Sequence, residues 1–161
     1  MADTSYLARV IWKEHTTDDD FAGTYELLLA AKSIPSPVAA PNTVESTTLE
    51  DDTQTFEMGI KQSSSREVTG NLNKDDLDAI DSNYGKKLDI MHLYGTDGVG
   101  GTAKYAYVGT VVATPSDVSG VDTILEMTAT IVPTTVSKRV TDDYTVTYDS
   151  KTKKFTVAKA S

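Results

Sequence analysis

The side chains with most to offer chemically are two histidines, His15 and His92, and two acidic runs, Asp18-Asp19-Asp20 and Glu50-Asp51-Asp52. Two histidines and a carboxylate can hold zinc, but no His-Glu-x-x-His spacing occurs here. His92 lies in the strand-like run Leu88–Tyr94, where a structural or surface role is expected. Neither acidic run has the alternating carboxylates and central glycine of a calcium-binding loop, so both read as solvated loops. Thr96–Gly101 is glycine-rich but lacks the Gly-Lys-Ser/Thr ending of a phosphate loop. No Gly-x-Ser-x-Gly elbow is present. Trp12 is the only tryptophan, which argues against a sugar-stacking cleft between paired carboxylates. The expectation is a non-enzymatic protein with no cofactor and no metal.

Composition sets the remaining bounds. The chain has 161 residues, 39% of them hydrophobic, enough for one globular core without staples. It contains no cysteine, which removes disulfides and thiolate metal sites. Met1–Tyr6 has neither a basic nor an apolar region of signal-peptide type, and no apolar run reaches the ~20 residues of a membrane span, so membrane insertion is not expected. The formal charge of −9 opposes tight nucleic-acid binding, which needs clustered Lys and Arg. Residues 1–60 hold eleven acids against three bases, a net of −8, whereas residues 61–161 hold thirteen against twelve. The amino-terminal third is therefore suited to meeting a basic surface or repelling an anion.

Positioning falls to strands. Runs rich in Val, Thr, Ile and Tyr predict strands near 6–13, 24–32, 54–61, 64–72, 88–94, 103–113, 121–132, 143–149 and 154–158. In 121–132 the odd positions Val121, Leu125, Met127, Ala129 and Ile131 are apolar, so they should face a core while Asp122 and Glu126 stay wet. One helix is expected over about 74–84, with Asn73 as N-cap, Asp75 and Asp76 in the first turn, and Gly85 with Lys86 and Lys87 beyond its end. Leu77, Ile80 and Tyr84 form its apolar stripe. The fold class is mainly β: a sandwich or barrel with one short flanking helix and a long Pro-rich loop, about 33–53. Residues 1–138 read as the main domain, with 1–23 an amino-terminal extension. Residues 139–161 read as a carboxy-terminal hairpin extension.

That loop carries Pro35, Pro37 and Pro41, which forbid helix, and ends in Glu50-Asp51-Asp52. A loop of about twenty residues inside a small domain is usually functional or disordered.

Three phrases of the chain carry a family resemblance: Ser36-Pro-Val-Ala-Ala-Pro-Asn-Thr-Val-Glu45, Thr48-Leu-Glu-Asp-Asp52 and Phe56-Glu-Met-Gly-Ile-Lys61. With the polar strand Arg66–Leu72, the acidic helix, Tyr107–Val112 and Met127–Pro133, this succession resembles the major tail proteins of bacteriophages with long, flexible tails. It covers roughly residues 25–138.

The resemblance implies a β-sandwich whose copies form rings, six to a ring, stacked into a tail tube. A tape-measure protein would fill the lumen during assembly, a terminator would close the tube, and DNA would later pass without specific binding. The protein would be made in the bacterial cytoplasm and reside in the virion. Within that picture Pro41, Asn42, Thr43, Val44, Leu49, Glu50, Asp51 and Asp52 would join one ring to the next. Lys86 and Lys87 are candidate acceptors of that loop. Glu67, Asp122 and Glu126 are candidates for an acidic lumen wall along which phosphates would slide. Two other readings are a β-domain that binds a ligand or decorates a capsid or virion, and a hydrolase with a carboxylate pair.

Overall fold

In a computed structural model of the chain, the residues described are 7–16, 21–38, 43–45, 48–49, 53, 56–58, 65–118, 120–121, 124–135 and 137–159. The first strands are β1 (Arg9–Glu14), β2 (Gly23–Leu27), β3 (Ala31–Ser33), β4 (Thr43–Glu45), β5 (Phe56–Met58) and β6 (Arg66–Asn71). The helix α1 (Lys74–Ser82) follows, then β7 (Leu88–Tyr94), β8 (Ala103–Pro115) and β9 (Glu126–Pro133). The chain closes with β10 (Lys138–Arg139), β11 (Tyr144–Asp149) and β12 (Lys154–Lys159). The protein is mainly β with one short helix, as its alternating pattern requires.

One antiparallel sheet runs in the order β11-β12-β2-β1-β7-β8-β9-β6-β3, with β10 paired to β8, and β4 and β5 make a separate two-stranded sheet. Its connectivity forces it to curl. Residues 28–30 are all that separate β2 from β3, which lie six strands apart in the sheet. Six flat strand spacings would span about 29 Å, whereas that link reaches at most about 14 Å. So the sheet bends into a half-barrel that brings β3 back toward β2. This is why the single strand expected over 24–32 is two strands, with Leu28 and Leu29 both buried at the crossing. Gly70 lets the crossing approach β6: a Cβ there would sit 2.4 Å from the Ala30 carbonyl oxygen.

The curl makes two cores, on opposite faces of β1, β7 and β8. Val10, Trp12, Ile90, Tyr107, Val68 and Ile131 pack inside the curve, closed by Ile80 of α1. Ile11, Met91 and Ala106 point the other way, against Tyr25, Phe155 and Val146. Six of the seven β7 residues are consequently buried, which explains its nearly continuous apolar run. Trp12 pairs with Ile90, and β1 lies between β2 and β7, inside the span set apart as an amino-terminal extension. The carboxy-terminal hairpin is likewise hydrogen-bonded into the sheet, Phe155 opposite Tyr25.

Three local expectations need correction. The 33–53 segment is not all loop, because Thr43–Glu45 pairs with Phe56–Met58; Val44 and Phe56 supply the β propensity. Strand β9 starts at Glu126 rather than 121, so Val121 and Leu125 are exposed instead of core. The helix keeps its cap, Asn73 Oδ1 accepting from the Asp75 and Asp76 amides at 2.9 and 3.3 Å. It ends at Ser82, however, and Asn83 turns the chain, leaving Tyr84 exposed rather than on the apolar stripe.

Candidate assembly surface

Alternation dictates what β6, β8 and β9 leave uncovered. Val68, Val111, Ala129 and Ile131 go inward, so Glu67, Val112 and Thr130 stand in one row on the outer face. Thr69, Thr114 and Thr128 form the next row, with Thr110 opposite Val132 beside them. Val112 and Val132 are exposed, and no other described element pairs over this face. Beyond it the β8–β9 connection presents Val118, Val121, Ile124 and Leu125, each more than half exposed. Four exposed apolar side chains in one connection are a cost that an interface would remove.

The structure places the sequence-derived candidates as follows. Thr43 and Val44 lie in β4, and Leu49 is fully exposed in the connection from β4 to β5. Pro41, Asn42, Glu50, Asp51, Asp52 and Asp122 lie outside the described residues. Glu67 and Glu126 share the uncovered face. Glu126 receives Lys32 at 3.2 Å, which offsets its charge, whereas Glu67 has no cationic partner among the described residues. Lys86 and Lys87 are exposed just after α1, and the Lys87 carbonyl accepts from the His15 amide at 3.0 Å.

Two buried polar clusters escaped sequence reasoning. Arg66 opens β6, buried, with its guanidinium carbon 4.6 Å from the Tyr107 ring centre. It donates to the Ser36 carbonyl at 3.3 Å and, in a short contact, to the Pro37 carbonyl, which also accepts from Ser137 Oγ at 2.5 Å. Arg66 thereby fixes where the Pro-rich segment leaves the sheet. Tyr107 in turn meets His92 Nε2 at 2.8 Å. Burial, and secondarily the Arg66 charge, lowers the His92 pKa to about 3, so the imidazole stays neutral. Burial pushes the Tyr107 hydroxyl well above its usual range, despite the opposing pull of Arg66.

The second cluster lies on the opposite face of β7. Asp89 is fully buried, 2.7 Å from Lys13 Nζ and 2.6 Å from His15 Nδ1. Register explains it, since Lys13 and Asp89 are direct cross-strand partners. An Asp–His pair orients an imidazole, which is one part of general-base machinery. Here the carboxylate is also neutralised by a lysine. The sequence signal was confined to β7, where Asp89 and His92 interrupt an otherwise apolar run; nothing in the polar stretch around Arg66 marked it for burial.

Among the described residues no three His, Asp or Glu side chains gather as a metal site, and no helix is long and apolar enough to cross a membrane. No family model matches the chain, and no curated protein matches it significantly.

Proposed function

We propose that this protein is a structural subunit of a bacteriophage tail tube. Copies close into rings, and rings stack into a tube within the virion through which DNA passes. The observation that carries the reading is the uncovered β6-β8-β9 face running into the apolar tip Val118, Val121, Ile124 and Leu125. A soluble monomer has little reason to keep such a surface, and edge-to-edge or face-to-face burial between copies accounts for it. Among the described residues the sheet also ends in two unpaired edges, β11 and β3, as an open half-barrel completed by neighbours would. Glu67 is the described acid best suited to a lumen wall, since nothing described neutralises it. The ring of six, the tape-measure protein and the terminator rest on the family resemblance.

Electron microscopy of the concentrated protein tests this directly. The expected result is tubes of uniform bore that lengthen with concentration. Protein that stays monomeric or forms only small closed oligomers, under every salt and concentration tried, would overturn it. That outcome would favour a binding or virion-decoration domain.

A further inference from the structure

The β11–β12 hairpin, the end of β2, Arg9 of β1 and Asp76 of α1 line a cleft of about 300 Å³ that lies apart from the β6-β8-β9 face. Leu27, Tyr148 and Phe155 give it apolar walls, and Arg9, Lys153 and Lys154 line it with positive charge. Glu26 and Asp76 also line it, Glu26 pairing with Lys154 at 3.5 Å, so cations outnumber carboxylates. Arg9 is held in place rather than neutralised. Its guanidinium lies 5.0 Å from the Tyr148 ring and 5.3 Å from Phe155, with Nη1 donating to the Gly98 carbonyl at 3.3 Å. No carboxylate among the described residues pairs with it, and a pre-oriented guanidinium is suited to bidentate carboxylate binding. Lys153 occupies the left-handed region, φ 58°, which glycine would fill at lower cost.

We infer that this cleft receives Leu49 and the acidic run that follows it, Glu50-Asp51-Asp52, from a second copy of the chain. The inference rests on the tube reading and names the receiving surface for the ring-joining segment. Both halves of the match are specific. Leu49 is fully exposed, so it does not sit in its own chain's cleft, and the walls offered by Leu27, Tyr148 and Phe155 suit it. The acids meet the lysine-rich end of the chain: residues 138–161 hold six bases against three acids, opposite the net −8 of residues 1–60. Lys86 and Lys87, the acceptors suggested by sequence, do not line this cleft.

The test titrates a synthetic peptide of residues 43–53 into the purified full chain, followed by NMR. Saturable binding is expected, with shifts at Tyr148 and Phe155. Lys153→Glu, Arg9→Gln, and Leu49→Ser in the peptide should each weaken it at least about tenfold, with affinity falling as salt rises. Absence of saturable binding, or equal binding to Lys153→Glu and wild type, overturns the inference. Microscopy then separates it from the tube reading. Wild-type tubes with unchanged Lys153→Glu tubes sink the cleft and spare the tube. Selective peptide binding by a protein that never polymerises does the reverse. Lys153→Glu that fails to polymerise, rescued by adding Asp51→Lys, supports both.

Discussion

The guanidinium carbon of Arg66 lies 4.6 Å from the centre of the Tyr107 ring, and no described carboxylate pairs with it. A buried cation without a counter-charge is costly unless hydrogen bonds and an aromatic face replace water. Here the Ser36 and Pro37 carbonyls accept from Nε and Nη2 and the Tyr107 ring faces the guanidinium, while Nη1 has no hydrogen-bond partner among the described residues. The exchange ties the Pro-rich segment to the core.

Arg66→Lys keeps the charge but loses the guanidinium's contact with the Tyr107 ring and its forked donors. It should lower unfolding free energy by about 1–3 kcal/mol in urea melts. It should also speed proteolysis near residues 34–38. Unchanged stability together with unchanged cleavage would show that the segment is held by other contacts.

His92 supplies a pH dependence whose sign is set by its depressed pKa. The unfolded imidazole gains its proton near pH 6.5 and the folded one only near 3, so the unfolded state binds more protons between those values. Stability contributed by neutral His92 is therefore complete above about pH 6.5 and lost progressively as pH falls toward 3, at up to about 1.4 kcal/mol per unit. Urea midpoints of wild type and His92→Gln between pH 5 and 6.5 should show a shallower slope in the variant. Parallel slopes would contradict the assignment.

Asp89→Asn leaves Lys13 facing a neutral amide in a buried site. The expected destabilisation is about 2–4 kcal/mol. The double variant Asp89→Leu with Lys13→Met should cost less than the two single changes added together, because it removes both desolvated charges. An additive double-mutant cycle would mean that the 2.7 Å ion pair contributes no coupling.

The β8–β9 tip separates folding from assembly. Val121→Ser, Ile124→Ser and Leu125→Ser together remove exposed apolar surface, so monomer stability should change by less than about 0.5 kcal/mol per site. Polymerisation, read by sedimentation and microscopy, should be lost. Normal tubes from this variant would move the interface elsewhere on the molecule.

Much of the architecture was legible along the chain, because it depends on neighbours in sequence. Period-two alternation in Arg66–Asn71 and Glu126–Pro133 declares strands with one wet face, and Asn73 followed by Asp75 and Asp76 declares a helix start. Leu88–Tyr94 declares a strand as well, although its burial on both faces, with Asp89 and His92 inside, was not read from the chain. What lies between distant segments was not. Nothing local says that three residues after Leu27 must carry the chain across a curled sheet to β3, or that Lys13 will face Asp89. Nor does composition distinguish Arg66, buried on Tyr107, from an exposed strand arginine. Those outcomes depend on register and curvature, which long-range pairing settles only when the whole sheet closes around its core. Sequence by itself determined the helix start and the wet and dry faces of strands such as β6 and β9; tertiary structure decided where several elements begin and end, which charges are buried together and which apolar face is left for a partner.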